Sequence, residues 1–534
     1  DKYNLLAVSF VSIQRPFVVF CCSCALVLSS FVNVGTIVSF SSLQRPTSLF
    51  LSAASLFPSR TNCSSTSSVL SRNRNNLNLG LCRIFLSVTP GFQVLPSSHE
   101  KSILHHNKQV NFVSKRQQQQ LQQQISFSKT TNTNNNMFGL SFNRSSSQEQ
   151  QGTGTAITKS DKPGFRTIAG STAIVTGSSG LCGARLVEML LERGAKTVIC
   201  FDLAEPQGTL AERFQAVQDA TGGKLIFCHG AEGDLTSDKA VEAAFQKAGD
   251  TPIDCVYHIG ALVGPFFDRD KYYGVNYYGT LRIIENCKKY KVPKLVYSSS
   301  PSTRFTGGDV EGLREDELPM PDKWLAMYAE AKAKGEVAVS KACCDELRTI
   351  SVAPHQVYGP YDSLFLPNLL ETAGNGRLRI FGSGRSIISV CYVDNYAHGL
   401  MCGADAIEDK DSPALGKFYI VTDGEPQNFW VMINTAIVAM GFVDLNTKFH
   451  LPVWLLYAVA YVANVVGLMI GKKFKLNPFN VRMLTIHRYF SLENAKRDLK
   501  YEPVKKFADA WPMTIEWFRK NWLPGFLEQQ KKNA

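Results

Sequence analysis

Tyr328 and Lys332 stand four residues apart in Tyr328-Ala329-Glu330-Ala331-Lys332. On a helix that spacing brings both side chains out on one face. A free phenol has a pKa near ~10 and is a poor base at neutral pH. An adjacent ammonium favours the phenolate, which can then take a proton from a substrate hydroxyl while hydride leaves for a nicotinamide. Lys332 can also reach the nicotinamide ribose. Upstream, Tyr297-Ser298-Ser299-Ser300 ends an apolar strand and offers a hydroxyl to orient the reacting oxygen. Tyr-x-x-x-Lys alone is common and reads equally well as a solvated helix face, so its weight comes from what precedes it.

What precedes it is a glycine loop. Thr172–Thr176 (TAIVT) is a buried strand, Leu181–Arg193 an apolar-faced helix, and between them runs Gly177-Ser178-Ser179-Gly180-Leu181-Cys182-Gly183. Glycines at this spacing let the turn take positive φ and let backbone N–H groups approach a pyrophosphate at the helix start. Gly177, Ser179, Gly180, Leu181 and Gly183 are the expected contacts. The next strand, Thr197–Asp202, ends in a carboxylate 19 residues beyond Gly183. Asp202 would accept hydrogen bonds from the adenosine ribose and repel a 2′-phosphate, which favours NAD over NADP.

The elements needed to hold these groups follow in order. Lys224–Cys228, Ile253–Ile259 and Lys294–Ser298 read as further strands, with helical stretches at Lys239–Lys247 and Tyr272–Tyr290. Short apolar strands that each lead into a helix specify a parallel sheet covered on both faces. The fold class is α/β: a Rossmann-type doubly wound parallel sheet over 169–360, then a smaller substrate-binding region over 361–450.

Taken in sequence, these segments resemble the extended short-chain dehydrogenase/reductase family. The resemblance implies that Ser300 is the catalytic serine beside Tyr328 and Lys332. It implies that Asp234-Leu235 bracket the adenine and that Gly260-Ala261, in His258-Ile259-Gly260-Ala261, pass under the cofactor. Asn276 matches the family's helix asparagine. Ala353-Pro354-His355-Gln356-Val357-Tyr358-Gly359-Pro360 is similar to the segment beside the nicotinamide, with Pro354 and Val357 at the cofactor. Ala353 stands where the family has Arg, which puts an Arg-mediated contact in doubt. The stretches PNLLETAGNGRLRIFGSG, GKFYIVTDGEPQNFW, FHLPVWLLYAVAYVAN and YFSLENAKRDLKYEP resemble the 3β-hydroxysteroid dehydrogenase branch, the sterol-4α-carboxylate dehydrogenases most closely. The branch implies oxidation of a sterol or steroid 3β-hydroxyl; a 4α-carboxylate would make the product a β-keto acid, which can lose CO2 through its own enol. A dehydrogenase/isomerase, a nucleotide-sugar epimerase or small-alcohol reductase, and a non-catalytic dinucleotide-binding regulator stay open, as does a homodimer.

Leu451–Gly471 holds no charge and is followed by Lys472, Lys473 and Lys475. At ~1.5 Å per residue it is long enough to cross a hydrocarbon core. Yet 476–534 reads as the end of the dehydrogenase fold and should pack back onto it. An interfacial or hairpin insertion over 451–475, with the lysines at lipid headgroups, fits better than a full crossing. A buried helix of the substrate region is the competing reading. The expected location is the endoplasmic reticulum membrane with the catalytic part facing the cytosol.

Charge is uneven. Residues 1–136 carry +10 of the chain's net +12, with Asp1 and Glu100 their only acids. The basic balance is therefore no nucleic-acid footprint of the folded part. The first 136 residues read as a disordered targeting leader, which would point to a plastid or other organelle, or as untranslated sequence upstream of Met137. Residues 137–168 read as a polar linker. Fourteen cysteines fall in no paired CxxC pattern, so neither a disulfide framework nor a metal site is expected.

Overall fold

Seven strands of four to seven residues make one parallel sheet: β1 (Thr172–Thr176), β2 (Thr197–Phe201), β3 (Lys224–Cys228), β4 (Cys255–His258), β5 (Lys294–Ser298), β6 (Arg348–Pro354) and β7 (Phe418–Val421). The order is β7-β6-β5-β4-β1-β2-β3. These strands come from a computed structural model that describes residues 165–264, 267–470, 474 and 476–533. The leader, most of the linker and the Lys472, Lys473 and Lys475 cluster lie outside the described residues.

Val175, Val198, Val256, Leu295, Val296, Ile350 and Ile420 are all 0–1% exposed, as a sheet covered on both faces requires. The chain lays down β1, β2 and β3 in one direction, then returns to place β4 on the other side of β1. The order therefore reverses between β1 and β4, and a crevice opens at their carboxyl ends, where ligands of such sheets bind. The glycine loop leaves the end of β1 at that point.

The covering helices used below are α1 (Leu181–Glu192), α2 (Thr209–Thr221), α3 (Asp238–Gln246), α4 (Gly279–Lys289), α5 (Met327–Lys341) and α6 (Val393–Ala406). Arg185 of α1 meets Asp394 of α6 at 2.8 Å, fastening one layer. The helix expected over Tyr272–Tyr290 is not regular. A π turn, Tyr273–Tyr278, precedes α4 and carries Asn276. Such insertions put one residue out of phase and often mark functional positions.

The boundary drawn at residue 360 divides the sequence but not the fold. β7 completes the main sheet beside β6, and Leu400 and Met401 of α6 lie in the same core as Val175 and Val352. Both elements come from the segment read as substrate region. What stands apart is a small sheet of Gln427–Asn428, Ile387–Ile388, Arg488–Phe490 and Val310–Leu313, in that order.

The apolar segment forms α7 (Val453–Ile470), long and apolar enough to cross a membrane by length and composition. Its start is tied to the body by Leu451, whose N–H donates to Ile380 and whose carbonyl accepts from Gly382. Leu456 and Ala460 are buried against Val481 of a short return helix, α8 (Pro478–Met483). From α8 the chain re-enters the small sheet at Arg488–Phe490. The rest of α7 stands bare: Trp454 is 72% exposed, Leu468 78% and Met469 81%. The tail then packs on the core, where α9 (Glu493–Leu499) contributes Ala495 and Leu499 beside α6, and Lys505 exchanges two hydrogen bonds with Asn395.

Candidate active site

The glycine loop is built by close backbone approach. Gly177 has φ +72°, and a Cβ there would lie 2.8 Å from the Gly260 backbone. A Cβ on Gly183 would overlap the Gly177 carbonyl oxygen, and one on Gly260 would sit 2.9 Å from Leu235. The ends of β1 and β4 thus touch at the reversal point, with Leu235 packed beneath them. Gly180 is the N-cap of α1 and its side offers no side-chain acceptor. The first-turn N–H groups of α1 have no intrahelical acceptors, as an anion site requires. This cradle fits a dinucleotide: backbone N–H groups would meet the phosphates where a side chain would clash.

Asp202 closes the far side. Its carboxylate accepts from the N–H of Ser179 at 3.0 Å and of Ala204 at 2.9 Å, while the Ser179 hydroxyl donates to the Ala204 carbonyl at 2.6 Å. Ser179 and Asp202 are therefore one unit. Leu181 packs into the core behind the loop. Ala261 lies partly exposed next to Gly260. Asp234 stands off from the loop; its carboxylate accepts from the N–H and hydroxyl of Thr236, both at 2.8 Å. Asn276 braces the segment after β4, accepting from Leu262 N–H at 2.8 Å and donating to its carbonyl at 2.9 Å.

His258 anchors the floor. The Thr280 hydroxyl donates to the Asn276 carbonyl at 2.9 Å, so it accepts from His258 Nε2 at 3.0 Å. Nδ1 is then the acceptor for the Thr176 hydroxyl at 2.7 Å, and Thr176 accepts from Gly260 N–H at 3.0 Å. Every polar atom is matched with the ring neutral, and burial pushes its pKa down to about 3.

Tyr328 and Lys332 emerge from one face of α5, next to the end of β5. The three serines there are distinguished by their partners. Ser298 accepts from the Tyr396 hydroxyl at 2.6 Å, Ser299 donates to Glu336 at 2.6 Å, and Ser300 is the one whose hydroxyl acts on Tyr328, lowering its pKa. Ser300 also accepts from the Ser302 hydroxyl at 2.9 Å. Pro354 ends β6 and Val357 lies three residues past it, and β6 reaches this strand end through Ser299 N–H to Val352 at 2.9 Å. The Tyr272 ring packs edge-on to Tyr328, centroids 6.2 Å apart.

The electrostatics correct one expectation. Lys332 was expected to draw the Tyr328 phenol below its ordinary pKa. Instead burial pushes Tyr328 up to about 12, against the opposing effect of the Ser300 hydroxyl. Lys332 is itself 2% exposed, donates to the Ser298 carbonyl and lies 4.1 Å from the Tyr297 ring centre. Burial brings it down to about 7, so near neutrality much of its charge is absent. Glu336 opposes that fall one helical turn further on. It is buried and clamped by both guanidinium arms of Arg304 at 2.6 and 2.9 Å. Neither Glu336 nor Arg304 was singled out from the sequence, although Glu336 repeats the four-residue spacing from Lys332.

A family model, the 3-beta hydroxysteroid dehydrogenase/isomerase family, matches residues 174–453. The chain belongs to that family. It is an NAD-dependent oxidoreductase with a Rossmann-type fold. Among similar curated proteins, the human sterol-4-alpha-carboxylate 3-dehydrogenase, decarboxylating, is 30% identical over 65% of this chain and 87% of its own length. An Arabidopsis thaliana 3beta-hydroxysteroid-dehydrogenase/decarboxylase isoform 1 is 29% identical over 65% and 79%. A 2-alkyl-3-oxoalkanoate reductase of Shewanella oneidensis is 28% identical over 62% and 83%. In fold the chain is similar to a dTDP-glucose 4,6-dehydratase of Streptomyces venezuelae solved with NAD, at TM-score 0.50 and 19% identity, over 66% of this chain and 99% of that one.

Proposed function

We propose that the protein oxidises the 3β-hydroxyl of a sterol bearing a 4α-carboxylate, with loss of CO2 from the product, at a membrane surface. The observation that carries the reading is the Ser300–Tyr328–Lys332 group at the end of β5, beside a glycine cradle that only backbone can line, in a chain similar to sterol-4-alpha-carboxylate 3-dehydrogenases.

Gly177–Gly183 and Asp202 would hold NAD, which would supply a hydride acceptor and a positively charged ring at the site. Tyr328 removes the 3β-hydroxyl proton, and Ser300 hydrogen-bonds the same oxygen and orients it. Lys332 holds the ribose side of the cofactor and stabilises the phenolate once its ammonium is present. Tyr328 rests with a high pKa, so proton removal is drawn to the bound complex, where positive charge and substrate meet. Loss of CO2 then follows from the β-keto acid itself and asks for no further base.

The bare face of α7 supports the membrane half of the proposal. Both its ends return to one body, which favours shallow insertion over a crossing. The endoplasmic reticulum, with the catalytic face in the cytosol, is the location proposed with it. To test the activity, the protein in mixed micelles is given NAD and a 4α-carboxy-3β-hydroxysterol, and NADH and CO2 are measured. Tyr328→Phe should abolish both; unchanged turnover in that variant rejects the reading.

A further inference from the structure

Arg488 is a cation without an anion. It lies in the small-sheet strand Arg488–Phe490, side by side with Val310 and Ile388. One guanidinium arm donates to His355 Nε2 at 3.1 Å and the other to the Met483 carbonyl at 2.9 Å. Its Nε is buried and has no hydrogen-bond partner. Arg348 also has a buried, unpartnered Nε, but Glu408 lies 3.7 Å from that guanidinium. Among the described residues no carboxylate lies within ion-pair distance of Arg488. A sequestered charge left unpaired is costly, and a native structure that retains one generally has a use for it.

Its surroundings adjoin the strand end that carries the candidate serines, since Ser298 of β5 pairs in register with Val352 of β6, three residues before His355. His355 Nδ1 donates to the Ser389 carbonyl at 2.6 Å, so Nε2 is the atom that accepts from Arg488. His355 is neutral in this setting and offers the guanidinium no countercharge. It sits between Pro354 and Val357, past the end of β6 and beside the serines of β5. The neighbouring α8 closes on the other side, where the Arg482 guanidinium and Leu325 crowd Gly307 just ahead of Tyr328. The sequence has Ala353 where the family motif carries Arg, so a positive charge absent from β6 reappears from a strand 135 residues later.

We infer that the Arg488 guanidinium, which still lacks one hydrogen-bond acceptor, binds the carboxylate of the substrate and so selects β-hydroxy acids over neutral alcohols. This rests on the dehydrogenase reading above and deepens it. The chemistry named for two similar proteins agrees. A sterol-4α-carboxylate with a 3-hydroxyl and a 2-alkyl-3-oxoalkanoate both hold a carboxylate one carbon from the oxidised or reduced centre. The rings differ, but the acid and its distance from the reacting carbon are shared. A cofactor phosphate is not the anion sought, because the phosphate cradle is at the β1–α1 turn.

The test measures binding to the full-length, NAD-loaded protein in micelles. One pair of ligands is a 4α-carboxy-3β-hydroxysterol and its 4α-methyl counterpart; a second is a 2-alkyl-3-hydroxyalkanoate and its amide. The wild type should prefer the acid of a pair by about 10- to 100-fold, the range for a charge-assisted contact. Arg488→Met should erase that preference by weakening the acid alone, and Arg488→Lys should retain part of it. No acid preference on either skeleton, or equal weakening of acid and neutral ligand by Arg488→Met, overturns the assignment. NADH formation by the wild type from the 4α-carboxy-3β-hydroxysterol is scored separately. Its absence, with acid preference retained on the alkanoate pair, defeats the sterol reading and leaves Arg488 supported.

Discussion

Lys332→Met should destroy turnover and yet make the protein harder to unfold near pH 6. The lysine is 2% exposed, and burial lowers its pKa from 10.5 to about 7. In the unfolded chain it regains the ordinary value. Below about pH 7 both states are protonated, and the native state bears the whole cost of a buried ammonium. At about 1.36 kcal/mol per tenfold change, that cost is on the order of 4–5 kcal/mol. Between about pH 7 and 10.5 the unfolded state binds more protons than the native state, so the wild type gains stability as pH rises. Near pH 9 the residual cost is about 2 kcal/mol. The variant removes the ammonium but leaves the Ser298 carbonyl without its donor, a loss of about 1–3 kcal/mol at any pH. The net expectation is a gain of about 2 kcal/mol near pH 6 that shrinks towards zero near pH 9. Denaturant unfolding of both proteins at the two pH values measures it. A variant-minus-wild-type difference that does not change with pH would show that Lys332 carries no desolvated charge, and the argument would fail whatever happens to activity.

Other expectations are more direct. Gly183→Ala should abolish NAD binding in calorimetry, because the new methyl would occupy the position of the Gly177 carbonyl. Ser300→Ala removes the hydroxyl that restrains the Tyr328 pKa, so turnover should fall about 10- to 100-fold and its pH profile should move to the alkaline side. Ser298→Ala, whose hydroxyl serves Tyr396 instead, should leave that profile where it is. Replacing Leu468 and Met469 together by Glu should release the protein from phospholipid vesicles in a flotation assay with NAD binding intact, since both side chains are mostly exposed and far along α7 from the core.

The sheet was legible where burial is total. β1 and β5 have the bounds their apolar runs specify, because a strand covered on both faces has no polar phase to obscure its ends; the partly exposed edge strand β3 has the expected bounds as well. The contribution of Phe418–Val421 to the same sheet was not legible. A four-residue edge strand so far down the chain is defined by β6 as its neighbour and not by any pattern of its own. The π turn around Asn276 was hidden because one extra residue barely disturbs a helical apolar stripe. In the site, the Tyr328–Lys332 spacing announced itself, being local. The sign of the Tyr328 shift did not, because it depends on how much protein surrounds the phenol. Arg304 on Glu336 and Arg488 on His355 are pairings across 32 and 133 residues, and nothing in either stretch advertises its partner.

The chain of hydroxyls about His258 bears on how this enzyme's pH behaviour is to be understood. An inflection near pH 6 to 7 in a dehydrogenase invites assignment to an imidazole, since few other side chains ionise there. Here the imidazole beneath the crevice is committed to one tautomer and gains no proton until conditions are strongly acidic. A break observed near neutrality would belong to an amine that has been made unusually acidic, and it would vanish with Lys332 while surviving any change at His258.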